Sequence, residues 1–176
     1  MRPLALAFAG LTLLAGCAHR DAGASWDVPR LEVPFFPDGS DQCGPSALAS
    51  VLTYWGRHAQ PADLRRELYQ AKLRGTLPVD LLLAARARGL KAEMTGGSLE
   101  TLRGEIDAGR PVIAFVNFGF RFLPVGHFMV VTGYDDARGG VIAHSGKRKN
   151  EFLAYRRFQR IWDMTGRWAL LASLPS

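Results

Sequence analysis

From Cys43 to Gly56 the chain reads CGPSALASVLTYWG, with Ala47, Leu48, Val51, Leu52 and Trp55 one, four, five and eight positions along from the first of them. That spacing is a helix burying one stripe. Pro45 suits its first turn, where a missing N–H is no loss, and Gly56 closes it. Amphipathic patterns of the same period predict helices over 61–72, 78–88, 98–108 and 155–164. Short apolar runs predict strands over 30–36, 111–116, 127–134, 140–144 and 167–174, with turn composition between Asp135 and Gly140. Helices first and an antiparallel sheet afterwards indicate an α+β architecture. No internal repeat or second domain is visible.

Composition bounds this picture. The chain has 176 residues, 48% hydrophobic and 22% charged, which is one globular domain, large enough to fold without a disulfide scaffold. The amino terminus is set apart. Pro3 to Leu14 is an apolar run behind Arg2, shorter than the ~20 residues a membrane span needs and suited to a secretory signal peptide. It ends in Leu14-Ala15-Gly16-Cys17, which resembles a bacterial lipobox. The resemblance implies that 1–16 is removed, that Cys17 is lipidated and that 17–29 is a tether to a domain at 30–176. Ala18, where an aspartate would favour inner-membrane retention, points to the periplasmic side of the outer membrane. Losing Arg2 lowers the formal charge of +6 by one. So modest a basic balance favours anionic headgroups or acidic polymers and establishes no nucleic-acid binding. Lys147-Arg148-Lys149 with Arg156, Arg157 and Arg160 read as a solvated face.

With Cys17 used for lipid, Cys43 has no partner within the chain. A helix start leaves N–H groups unpaired and favours negative charge; both effects lower a thiol pKa. Gly44 leaves room beside the sulfur for a substrate backbone. Of the four histidines, His19 lies in the tether and His58 in the turn after the first helix. His127 opens an apolar strand after Gly126 and is the candidate base, with His144 downstream. Phe118, Phe120 and Phe122 alternate just before His127 and are expected to pack in the core. No set of His, Cys and carboxylates has zinc spacing, so neither metal nor cofactor is expected.

The segment Asp41–Leu52 resembles the nucleophile helix of the C39 peptidase family, and Gly126–Asp135 resembles its histidine strand; the similarity runs from about Leu31 to Leu174. It implies a papain-like fold in which Cys43 attacks a peptide acyl carbon while His127 takes and returns the proton. It points to a stand-alone, lipid-anchored branch. Two positions depart from the family pattern. The aspartate that orients the imidazole would fall at His144, followed by Ser145. His144 is therefore the expected orienting residue, in the manner of the Cys-His-His set of NlpC/P60 peptidases, with Ser145 and Asn150 as weaker alternatives. The oxyanion glutamine would fall at Pro37 or Asp38, and an ionised Asp38 would repel a developing oxyanion. Gln42, Gly44 and the Cys43 N–H remain as oxyanion or substrate-positioning groups. The expected protein is a lipid-anchored periplasmic cysteine peptidase acting on a peptide or protein. A catalytically impaired peptide-binding module and an NlpC/P60-like cell-wall hydrolase stay open.

Overall fold

A computed structural model describes residues 28–39 and 41–175. The segment expected to be a signal peptide, Cys17 and nearly all of the expected tether lie outside them. Helices α1 (Cys43–Tyr54), α2 (Pro61–Leu68) and α3 (Pro78–Ala87) come first, then β1 (Lys91–Gly96) and α4 (Leu99–Asp107). Strands β2 (Val112–Asn117), β3 (Gly126–Asp135), β4 (Gly140–Ser145) and β5 (Arg148–Ala154) follow, then α5 (Tyr155–Asp163) and β6 (Trp168–Ser173). Pro61 and Pro78 open α2 and α3, where the ring pre-sets φ and no donor is lost. Ser98 caps α4 by accepting the Thr101 N–H at 3.0 Å.

The strands form one antiparallel sheet in the order β1-β6-β2-β3-β4-β5. Both faces are buried. Ile113, Phe128, Val130 and Leu170 pack with α1, α2 and α3. Val112, Ala114, Met129, Val131 and Ala169 pack with Leu102 and Ile106 of α4 and with Phe158, Ile161 and Trp162 of α5. Neighbouring strand residues therefore serve opposite cores, the period of two expected of a strand. Among the described residues no helix is long and apolar enough to cross a membrane.

The α+β architecture agrees with the expectation, with two differences in the strands. Strands β1 and β5 were not legible, because they are the two edges of the sheet and mix polar and apolar residues without a continuous apolar run. Residues 30–36 are not a strand. Only Arg30 bridges to Gly133; Pro29, Pro34 and Pro37 cannot donate to a ladder. The segment is instead seated on β3 by Leu31 N–H to Thr132 O (2.7 Å) and Tyr134 N–H to Pro29 O (3.1 Å). Gly133 permits this approach, since a Cβ there would lie 2.6 Å from Pro29 O.

Candidate active site

Three segments meet at the N-terminal end of α1. Cys43 is the first residue of that helix. Backbone N–H groups of Phe128, Gly44 and Cys43 itself lie where they favour the thiolate, that of Phe128 most. His127 lies at the start of β3. The segment 31–39 brings Asp38, whose backbone N–H donates to Gly146 O at 3.1 Å. The ligating atoms of Asp38, Cys43 and His127 all lie within 4.8 Å of one another. A cation could bridge such a trio, but no fourth His, Cys or carboxylate joins it among the described residues.

The His127 Nε2 lies 3.1 Å from Ser145 Oγ, and its ring tilts against Phe118 at 5.1 Å between centroids. Burial lowers the His127 pKa to about 4, so the imidazole is neutral near pH 7 and able to accept a proton. Burial also raises the Cys43 thiol and outweighs the N–H donors; an ionised Asp38 would push the same way. The helix start was expected to lower this pKa. Desolvation of a thiolate packed between α1 and β3 reverses the direction. The resting pair is thus a neutral thiol beside a neutral imidazole.

The Peptidase_C39-like family model matches residues 27–170. The chain belongs to the C39-like peptidase family. An uncharacterized protein of Methanothermobacter marburgensis is 37% identical over 94 residues, which is 53% of this chain; the match spans 58% of that relative's own length. The peptidase domain of Streptococcus ComA, a bi-functional ABC transporter, is similar at 28% identity with a TM-score of 0.65, covering 79% of this chain and 96% of that domain. A C39-like peptidase from Bacillus anthracis shares the fold at 20% identity and a TM-score of 0.66, covering 82% and 96% of the two chains.

Set on this C39-like frame, the candidate residues separate. Cys43 and His127 come together. His144 does not orient His127. Its Nδ1 accepts the Asn150 N–H at 3.2 Å, so the proton sits on Nε2, which donates to Val33 O at 3.0 Å. With Phe35 edge-on to its ring at 5.1 Å, His144 ties the 31–39 segment to the sheet. Asn150 is likewise engaged, its backbone on His144 and its side chain near Thr132 Oγ1 at 3.4 Å. The group that meets His127 is Ser145.

Gln42 stands at the N-cap of α1 without a side-chain capping bond, its amide nitrogen beside Gly39. Gly44 does not open space for substrate. A Cβ there would lie 3.1 Å from the Thr76 Cβ and 3.4 Å from the Phe128 ring, so its small size lets α1 pack closely. Nor do the three phenylalanines fill the core. Phe118, Phe120 and Phe122 are 43%, 65% and 85% exposed. Phe120 and Phe122 stack at 5.4 Å on the hairpin leading to His127.

Proposed function

We propose that this protein is a cysteine peptidase in which Cys43 is the nucleophile, His127 the base and Ser145 the residue that positions the base. The observation that carries this reading is the meeting of a free thiol at a helix start with an imidazole whose Nε2 also meets Ser145 Oγ. In this reading the Nε2–H tautomer donates to Ser145 Oγ, and Nδ1 receives the thiol proton. The sulfur then adds to the acyl carbon of a peptide bond, and the same nitrogen returns the proton to the leaving amine. Water hydrolyses the acyl-enzyme by the reverse sequence. Because both groups are neutral at rest, proton transfer accompanies attack instead of preceding it.

The substrate class proposed is a peptide or protein segment with apolar side chains beside the scissile bond. The exposed, stacked hairpin of Phe120 and Phe122, with Leu123 and Val125 also exposed, borders His127 through Phe118. An apolar patch of this kind beside a reactive pair is a docking surface. The resemblance of Leu14-Ala15-Gly16-Cys17 to a lipobox supports anchoring through Cys17 on the periplasmic side of the outer membrane, and the substrates proposed are those reaching that surface. Digestion of a mixed peptide library, read by mass spectrometry, is expected to give cleavage products enriched in apolar residues at the new termini. Prior alkylation with iodoacetamide should abolish them; products that persist would exclude a thiol mechanism.

One observation favours a second reading. A raised thiol together with an uncharged hydroxyl on His127 suits a cleft that binds peptide without cutting it. Binding that survives Cys43→Ala, with no product from either form, would select this reading. A muropeptide digest separates a cell-wall hydrolase from both.

Ser145 supplies a single neutral hydrogen bond, worth about 1 kcal/mol. Ser145→Ala is accordingly expected to slow acylation of Cys43 roughly fivefold, far less than the ~10⁴ lost with an orienting aspartate. Ser145→Asp places a negative charge beside the imidazole and should raise its pKa. The acid limb of the pH–rate profile would then move up from about 4. An unmoved limb would show that Ser145 does not act through His127.

A further inference from the structure

We infer that Asp38, carrying its proton, is the hydrogen-bond donor that receives the negative oxygen formed when Cys43 attacks an acyl carbon; this rests on the peptidase reading above. Three observations lead there. First, position: the Asp38 carboxyl is within 4.8 Å of both the Cys43 sulfur and the His127 ring nitrogen. A carbonyl carbon in contact with that sulfur would bring its oxygen into the carboxyl's reach. Second, surroundings: Asp38 is only 8% exposed. It lines a small cavity with Phe35, Phe36, Phe128 and Ser46, and it forms no ion pair with Lys or Arg among the described residues. The titratable groups near it are Cys43 on α1, His127 on β3 and His144 on β4, the last with its proton given to Val33 O. Burial without a cation outweighs the residue's own backbone N–H, raises the Asp38 pKa and favours the neutral acid. Third, fixation: its backbone is pinned to Gly146 O. Gly146, at φ +61°, lies alongside: a Cβ there would be in van der Waals contact with Asp38 Oδ1 at 3.5 Å.

A carboxylic acid kept neutral by an apolar site can donate to an oxyanion, whereas the ionised form would repel it. The step balances as follows. The Sγ–C bond forms as the carbonyl π pair moves to oxygen, and the thiol proton passes to His127. Asp38 donates a hydrogen bond to that oxygen and keeps its own proton. When the oxygen pair returns, the C–N bond breaks and His127 protonates the amine. The expectation from sequence, that an aspartate here is only an obstacle, assumed an ionised side chain.

Two probes separate this role from others. p-Nitrophenyl acetate acylates the sulfur through a negative oxygen, read as a nitrophenolate burst. Iodoacetamide alkylates it by displacement with no such oxygen. Asp38→Ala is expected to cut the burst rate about 10²-fold, the loss of one oxyanion donor, with alkylation within a few fold of wild type. Asp38→Asn, an amide donor that does not titrate, should recover most of the burst. It should also remove the fall in burst rate that wild type shows as the pH rises and Asp38 ionises. The inference is overturned if Asp38→Ala matches or exceeds the wild-type burst, if Asp38→Asn is no better than Asp38→Ala, or if burst and alkylation fall together. Faster alkylation in both variants would mean an ionised carboxylate and overturn it as well. A burst that persists in Cys43→Ala would instead sink the peptidase reading itself.

Discussion

Replacing Cys43 by alanine is expected to abolish peptide cleavage and all covalent labelling of the folded domain by iodoacetamide. Among the described residues Cys43 is the free thiol, and a thiol is a far better nucleophile at neutral pH than a hydroxyl. Losing a nucleophile costs on the order of 10⁶ in rate, which takes turnover to background. The same thiol fixes the pH course of alkylation. Iodoacetamide reads thiolate, and burial raises this thiol above the ordinary cysteine value. Labelling of the wild type should therefore be slow at neutral pH and climb on the alkaline side. A plateau of fast labelling between about pH 5 and 7, the mark of a thiol strongly lowered by its neighbours, would overturn the neutral resting pair. Cys43→Ala must still fold for the comparison to count, and an unchanged thermal midpoint checks that. The sulfur packs against β3 at one end of the helix, and a methyl group in its place leaves the buried stripe of α1 intact.

The second large effect concerns the base. His127→Ala is expected to lower kcat/KM by 10²–10⁴, the range for loss of a general acid–base. Its pH signature distinguishes catalysis from packing. In the wild type the imidazole must be neutral to accept the thiol proton. With its pKa lowered to about 4, activity should persist through mildly acidic pH and fall only as the pH drops through that value. Below it the ring is protonated and the proton has no acceptor. His127→Ala should lose this limb along with the rate. A wild-type profile falling near 6.5 would show that the ring is solvated as in a model peptide, contrary to its burial beside Phe118 and Ser145.

How much of this was legible in the chain depends on the range of the interaction involved. Helix α1 was plain, because its apolar stripe, its proline and its closing glycine are all local signals. The strand bearing His127 was plain because six successive residues from Phe128 to Gly133 are buried, which reads as a run of apolar residues. The edge strands β1 and β5 were not, since an edge facing solvent has no continuous apolar pattern. The position of β6 between β1 and β2 was also hidden, because strand order depends on contacts across most of the chain.

At the site, the sequence by itself determined the nucleophile and base candidates, Cys43 and His127, and narrowed the third position to His144, Ser145 or Asn150. Only the tertiary structure chose Ser145 as the group on His127. Adjacent residues on a strand point to opposite faces, and a shift of one residue in register exchanges them. The pairing of β4 with β5 is irregular between Ala143 and Ser145, and no linear pattern reveals which of His144 and Ser145 will meet His127. Asp38 is the same lesson in electrostatics. Its residue type was known from the start, but whether it carries a charge or a proton depends on burial among Phe35, Phe36 and Phe128. That desolvation arises only once the 31–39 segment, α1 and the sheet have closed around it.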